Sequence, residues 1–133
     1  MTPVFVDTSC LVAFLNPNDE HHAGAFDGLV RLSRPLATSG WVLAELGNFL
    51  AKGGGRRLFA PFVAQLTRDP RIEIVPADAQ SCEAGLKLYG ERSDKEWSFV
   101  DCVSFAIMDR RNIIEALTAD HHFEQAGFQT VLT

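Results

Sequence analysis

The chain is short of several things that would assign it quickly. It has no uninterrupted apolar run near the roughly 20 residues that cross a bilayer, and its opening, MTPVFVDTS, lacks a basic segment leading into a signal-like apolar stretch. It has only three cysteines, Cys10, Cys82 and Cys102, an odd number without metal-binding spacing. Buried, reduced thiols in a soluble cytoplasmic protein are the expectation, with no membrane partner. Basic residues are also in deficit. With 12 Lys and Arg against 17 Asp and Glu, the formal charge is −5, which excludes a protein that binds nucleic acid simply by coating it with cations. No linker, internal repeat or low-complexity stretch divides the 133 residues, so a single domain over 1–133 is expected.

What is present is an alternation. β-like runs occur at 3–6 (PVFV), 36–39 (LATS), 72–75 (IEIV) and 116–119 (ALTA), with a fifth at 129–132 (QTVL). Helical patterns fall at 8–15, 22–33, 41–52, 56–68, 78–91, 98–111 and 121–126. Strands separated by helices predict an α/β fold, a mainly parallel sheet of four to five strands flanked by helices, because parallel neighbours need crossover connections. The glycines at 53–55 read as the stop of the third helix.

Four acids stand out against this frame. Asp7 directly follows VFV and Asp120 directly follows ALTA, at strand carboxyl ends where open parallel sheets bind ligands. Either could instead be a helix N-cap, and Ser98 with Asp101 fits a capping box. Glu45 sits in mid-helix with Trp41 and Phe49 four residues to either side, and Asp101 shares its face with Ser104, Phe105 and Met108. An ionised carboxylate removed from water costs several kcal/mol unless something offsets it. Lys95 is the nearest lysine in sequence. A divalent cation, Mg²⁺ or Mn²⁺, would offset several acids together, because both favour hard oxygen ligands. Hence Asp7, Glu45, Asp101 and Asp120 are expected to converge on one metal site.

The basic residues Lys52, Arg56 and Arg57 surround the glycines. They read as a solvated helix end or as a local phosphate contact. Adjacent helical side chains point about 100° apart, so neither His21-His22 nor His121-His122 is expected to grip one metal with both rings. His21-His22 reads as the solvated start of the second helix. A receiver-like phosphotransfer domain would also place acids at strand ends, but DTS lacks a second aspartate and no lysine follows a late strand.

VFVDTSCLVAFLN, SGWVLAELGNFL, SFVDCVSFAIMDRRNI and ALTADHHFEQAGFQTV, in that order, resemble the PIN-domain ribonucleases, and within them the VapC-like toxins of type II toxin–antitoxin pairs. The resemblance covers nearly the whole chain. It implies a PIN-like three-layer sandwich and Mg²⁺-dependent hydrolysis of RNA, leaving a 5′-phosphate and a 3′-hydroxyl. It carries the family's acidic quartet onto Asp7, Glu45, Asp101 and Asp120, with Asp7 and Asp101 as direct ligands. Ser9, Thr118 and, less specifically, Ser98 fall where related proteins place hydroxyls near the metal or its waters. Homodimerisation and a small DNA-binding antitoxin are the implied partners, with the apolar surfaces of 22–33 and RRLFAPFVAQL as contact regions. A PIN fold that only binds a protein partner is the competing reading.

Overall fold

A computed structural model describes residues 1–132, and the middle of its sheet is built from wholly buried runs, VFV and LATS, while the edge strands are partly exposed. Strands β1 (Val4–Val6), β2 (Leu36–Ser39), β3 (Ile72–Val75), β4 (Glu115–Leu117) and β5 (Gln129–Thr130) pair in the order β3-β2-β1-β4-β5. Every pairing is parallel. The fold is therefore the expected α/β arrangement, a five-stranded parallel sheet flanked by seven helices: α1 (Thr8–Leu15), α2 (His22–Phe26), α3 (Gly40–Leu50), α4 (Phe59–Arg68), α5 (Ala79–Glu91), α6 (Phe99–Arg110) and α7 (His122–Gln125).

β1 is central and fully buried. The chain runs outward from it to β2 and β3, then returns to add β4 and β5 on the other side. The strand order thus reverses between β1 and β4, and such a switch point opens a crevice beyond the strand ends. Register fixes what lines it. Val6 pairs with Leu117, and the Asp7 N–H donates to the Leu117 carbonyl at 3.1 Å. Asp7 and the segment Thr118–Asp120 therefore emerge side by side.

Several expectations need correction. The fifth strand covers only 129–130 of the expected 129–132, and the fourth begins and ends earlier than 116–119, so Thr118 and Ala119 belong to the loop. The helix expected over 22–33 is α2 followed by a π-helical turn at Asp27–Arg31. There Gly28 lies so close to Leu117 that a Cβ would meet its side chain at 2.6 Å. The helix expected over 56–68 begins at Phe59, after a 3₁₀ turn over Gly53–Leu58. The glycines do not themselves stop α3, which ends at Leu50 with Ala51 as its C-cap; Gly53 opens the 3₁₀ turn with a positive φ of 75°. Cys10 and Cys102 are buried thiols, whereas Cys82 is only half-buried on α5.

The core joins both sides of the sheet: Phe5, Leu11, Leu36, Leu46, Phe105, Met108, Leu117 and Phe123 are almost wholly excluded from solvent. α5 docks tightly on α6 because Gly85 carries no side chain; a Cβ there would overlap Val103. No helix among the described residues is long and apolar enough to cross a membrane.

Candidate active site

A cavity of about 500 Å³ opens beyond the ends of β1 and β4, and the four expected acids all line it. Asp7 comes from the β1 end, Glu45 from mid-α3, Asp101 from the first turn of α6 and Asp120 from the loop after β4. Chain folding thus brings together carboxylates up to 113 positions apart (120 − 7). Asp19 and Glu96 add two more acids to the lining, and no lysine or arginine lines it among the described residues.

Asp7 is 4 % exposed and precedes α1, yet its side chain makes no cap. Its Oδ2 instead accepts hydrogen bonds from the hydroxyls of Thr118 (2.8 Å) and Ser9 (3.1 Å). Those hydroxyls lie 3.1 Å apart, Ser9 also accepts from the Ala119 N–H, and Thr118 accepts from the Asp120 N–H. Thr118 and Ala119, in the loop after β4, are thus tied to Asp7 and Ser9 at the start of α1. Burial is the main influence on Asp7 and pushes its carboxyl up to about 6; the Thr118 and Ser9 hydrogen bonds oppose the rise, and the charge of Asp101 adds to it.

Asp101 is 7 % exposed. The expected capping box is present: Ser98 Oγ accepts from the Asp101 N–H at 3.0 Å, and Asp101 Oδ2 accepts from the Ser98 N–H at 3.2 Å. Capping and lining the cavity are not alternatives here, because the same carboxylate does both. Lys95 forms no ion pair with Asp101; the neighbouring side chain is His122, with Nδ1 3.0 Å from Asp101 Oδ2 and 3.4 Å from Asp120 Oδ1. Asp120 Oδ1 is itself fixed by the His122 backbone N–H at 2.9 Å.

The histidine expectations change accordingly. His21 is not a solvated helix start but half-buried in the cavity wall, and His22 is tied through Nδ1 to the Ala13 carbonyl at 2.8 Å. One ring nitrogen from each of His121 and His122 lies with an Asp120 oxygen inside a 4.8 Å cluster, so the angular argument from helical spacing does not keep both rings from one ion. The turn of α7 is only four residues long, and His121 precedes it. Asp19 and Glu96 had no signal in the sequence beyond being acids in polar segments. They reach the cavity through the Asn16–His21 loop and the α5–α6 connection.

Lys52, Arg56 and Arg57 are exposed and do not line the acidic cavity. Arg56 donates to the Ala51 carbonyl at 3.0 Å and faces a separate cavity beside Gly47 and Phe59.

The donor set suits a hard divalent cation. It offers carboxylate oxygens in excess, and at Asp7 the hydrogen bonds of Thr118 and Ser9 do not outweigh burial and the charge of Asp101. The buried hydroxyl of Thr8, which also lines the cavity, has no hydrogen-bond partner among the described residues. The proton linkage gives a testable sign. Because the folded carboxyl of Asp7 titrates near 6 rather than 3.8, its contribution to apo-protein stability is present below pH 3.8 and lost as pH rises through about 6. The loss is on the order of 3 kcal/mol for a shift of this size. Cation binding competes with that proton, so the thermal stabilisation given by added Mg²⁺ or Mn²⁺ should grow from pH 5 to pH 7 in the native protein. In Asp7→Asn, thermal melts across the same range should show that growth flattened; an identical pH dependence would separate Asp7 from the cation.

Comparison with known proteins gives the family. The PIN domain family matches residues 4–129. The 23S rRNA-specific endonuclease VapC20 of Mycobacterium tuberculosis is 33% identical over 129 residues, covering 96% of this chain and 97% of that protein. The crystal structure of M. tuberculosis VapC20, described as a sarcin–ricin loop cleaving toxin, superposes with a TM-score of 0.84 at 30% identity, covering 98% of this chain and 99% of that one. The structure of VapBC2 from Rickettsia felis, bound to a DNA fragment from their promoter, shares the fold at 17% identity and a TM-score of 0.67, with 96% of each chain covered. With the acids gathered at the β1–β4 switch point and the match running through nearly every element, the chain belongs to the PIN domain family, in its VapC-like branch.

Proposed function

We propose that the protein is a Mg²⁺- or Mn²⁺-dependent endoribonuclease and the toxin of a type II toxin–antitoxin pair, acting in the cytoplasm. The observation that carries this reading is the convergence of Asp7, Glu45, Asp101 and Asp120 on one cavity at the sheet's switch point. The likeness to VapC20 makes structured ribosomal RNA of the sarcin–ricin type the first substrate to test.

When bound, the cation would polarise the scissile phosphate, lower the pKa of the attacking water and stabilise charge on the leaving oxygen. The chain's residues do the rest. Asp7 and Asp101 hold the cation, each with Oδ2 already engaged by neighbours: the Ser9 and Thr118 hydroxyls for Asp7, the Ser98 N–H and His122 for Asp101. Those bonds stop either carboxylate from rotating out of place, which is what keeps a reactive geometry ready before substrate arrives. Asp120, fixed by the His122 N–H, completes the anionic wall, and Glu45 supplies a half-exposed carboxylate from α3 that orients water and takes up its proton. Ser98 acts through Asp101 by capping α6. Lys52, Arg56 and Arg57 serve as remote steering charges for the RNA backbone; charge reversal at Arg56 and Arg57 should slow association at low salt.

The implied partners are a cognate antitoxin and a second copy of the chain. An apolar groove of about 370 Å³ between Phe14, Leu29, Val30, Phe62 and Leu66 supports a peptide-like occupant. Incubating the purified protein with a sarcin–ricin RNA hairpin should give cleavage that requires Mg²⁺ or Mn²⁺, stops with EDTA and leaves 5′-phosphate ends. A 2′,3′-cyclic phosphate product, or cleavage indifferent to EDTA, would remove the hydrolytic metal mechanism.

A further inference from the structure

The acidic cavity has an electrostatic difficulty of its own. RNA arrives as a polyanion, and the wall that must receive it presents Asp7, Asp19, Glu45, Glu96, Asp101 and Asp120 without a lining lysine or arginine. A cation in the cavity neutralises the scissile phosphate's surroundings only. The flanking phosphates need positive charge of their own, close to the cavity.

One neighbouring cleft meets that requirement. A second cavity of about 550 Å³ shares Glu96 and Ser98 with the acidic one, so the two lie side by side. Its walls come from the end of α5 and the connection to α6, and include Tyr89, Arg92, Lys95 and Trp97. Trp97 gives this wall rigidity: its ring is 6 % exposed, its Nε1 donates to Gln125 at 3.0 Å, and it packs edge-on against Phe105. The Arg92 guanidinium stacks 5.0 Å above Trp97 and forms two 3.0 Å hydrogen bonds to Asp94, so most of its charge is already answered. Lys95 is different. It is half-buried, its backbone N–H is held by the Arg92 carbonyl at 3.1 Å, and its ammonium is within Coulombic range of Asp94 but forms no direct ion pair among the described residues, so it is less fully answered than Arg92. Tyr89, also on the cleft, leaves 54% of its surface in solvent, so it is accessible to a stacking partner. A cation and an exposed aromatic ring lining one cleft are the chemistry by which proteins hold single-stranded nucleic acid: charge on the backbone, stacking under a base.

We propose that the cleft of Tyr89, Arg92, Lys95 and Trp97 is the track that holds the RNA strand next to the cleavage site, with the Lys95 ammonium on a backbone phosphate and the Tyr89 ring under an unpaired base. The assignment rests on the nuclease reading above and adds the path of the substrate to it. Glu96, on the shared edge, keeps phosphates toward the Lys95 side by repulsion.

The test is equilibrium binding of the labelled RNA hairpin to the full-length protein in the Asp101→Asn background, followed by fluorescence anisotropy across a salt series, with cleavage kinetics of the same changes in the otherwise native protein. Lys95→Gln should reduce the slope of log K against log salt by about 0.7, the contribution of one phosphate contact on a single strand. Tyr89→Ala should weaken binding by about fivefold or more at every salt concentration without changing the slope, and Tyr89→Trp should restore it. In cleavage, both changes should raise KM and leave kcat near native. Unchanged slope and affinity in Lys95→Gln and Tyr89→Ala, in a protein that still cuts the hairpin, would overturn the track and leave the nuclease reading standing. The same result accompanied by lost binding of a protein partner would assign the cleft to that partner instead. A native protein that neither binds nor cuts RNA would overturn both.

Discussion

Replacing Asp101 with asparagine is expected to lower RNA cleavage by about a thousandfold, the rate equivalent of roughly 4 kcal/mol of transition-state stabilisation, while leaving the fold intact. The two halves of that expectation have separate causes. Asparagine is nearly isosteric and retains a side-chain oxygen, so it can still accept the Ser98 N–H that closes the capping box of α6. What it removes is a charge that is 7 % exposed and lies near a second buried carboxylate, Asp7, whose own ionisation Asp101 already opposes. In the apo protein that removal relieves repulsion, so the melting temperature should stay level or rise. Lost activity with unchanged or increased stability is the pattern of a group kept for chemistry. Cleavage kinetics and thermal melts on one preparation check both halves, and a variant that loses activity only in proportion to its loss of fold would assign Asp101 to capping alone.

The second large effect is structural. Phe105→Ala should destabilise the protein by about 3–5 kcal/mol. The ring is 1% exposed and meets Trp97 at 5.0 Å and Phe123 at 4.9 Å, both edge-on, with Phe128 at 5.6 Å. For a domain of this size the change corresponds to a fall of about 10–20 °C in melting temperature, measurable by calorimetry. Its consequence reaches the site. Phe123 directly follows His122, whose backbone and ring fix Asp120 and meet Asp101, and Trp97 walls the cleft beside Glu96 and Ser98. The residual folded fraction should therefore also bind the cation less tightly. A drop of only a degree or two would mean that the aromatic cluster is not what seats α7.

Much of this arrangement was legible in the sequence, and the reasons are physical. Parallel strands separated by helices leave a strong periodic signature, and β2, β3 and α1 fall on their expected residues. Asp7 and Asp120 were readable because the end of a parallel strand is where a ligand site opens. Asp101 was readable because a charge on an otherwise apolar face needs a partner. Its identity was not: the imidazole of His122 lies 21 residues away and comes beside Asp101 only when β4 and α7 are in place. Lys95, closer in sequence, turns into a different cleft. The same limit applies to Asp19, His21 and Glu96, which reach the cavity from segments with no periodicity to read. The helix expected over 22–33 was overextended because apolar spacing continues through Leu29 and Val30, while the close approach of Gly28 to Leu117 draws the backbone into a wider turn.

The central claim is that these side chains form a cation site, and anomalous diffraction from crystals soaked in Mn²⁺ tests it most directly. A single strong anomalous peak, or a close pair, within direct coordination distance of carboxylate oxygens from both Asp7 and Asp101 is the predicted result. Fully soaked crystals with no peak in the acidic cavity, or with manganese held only at sites away from Asp7 and Asp101, would contradict it.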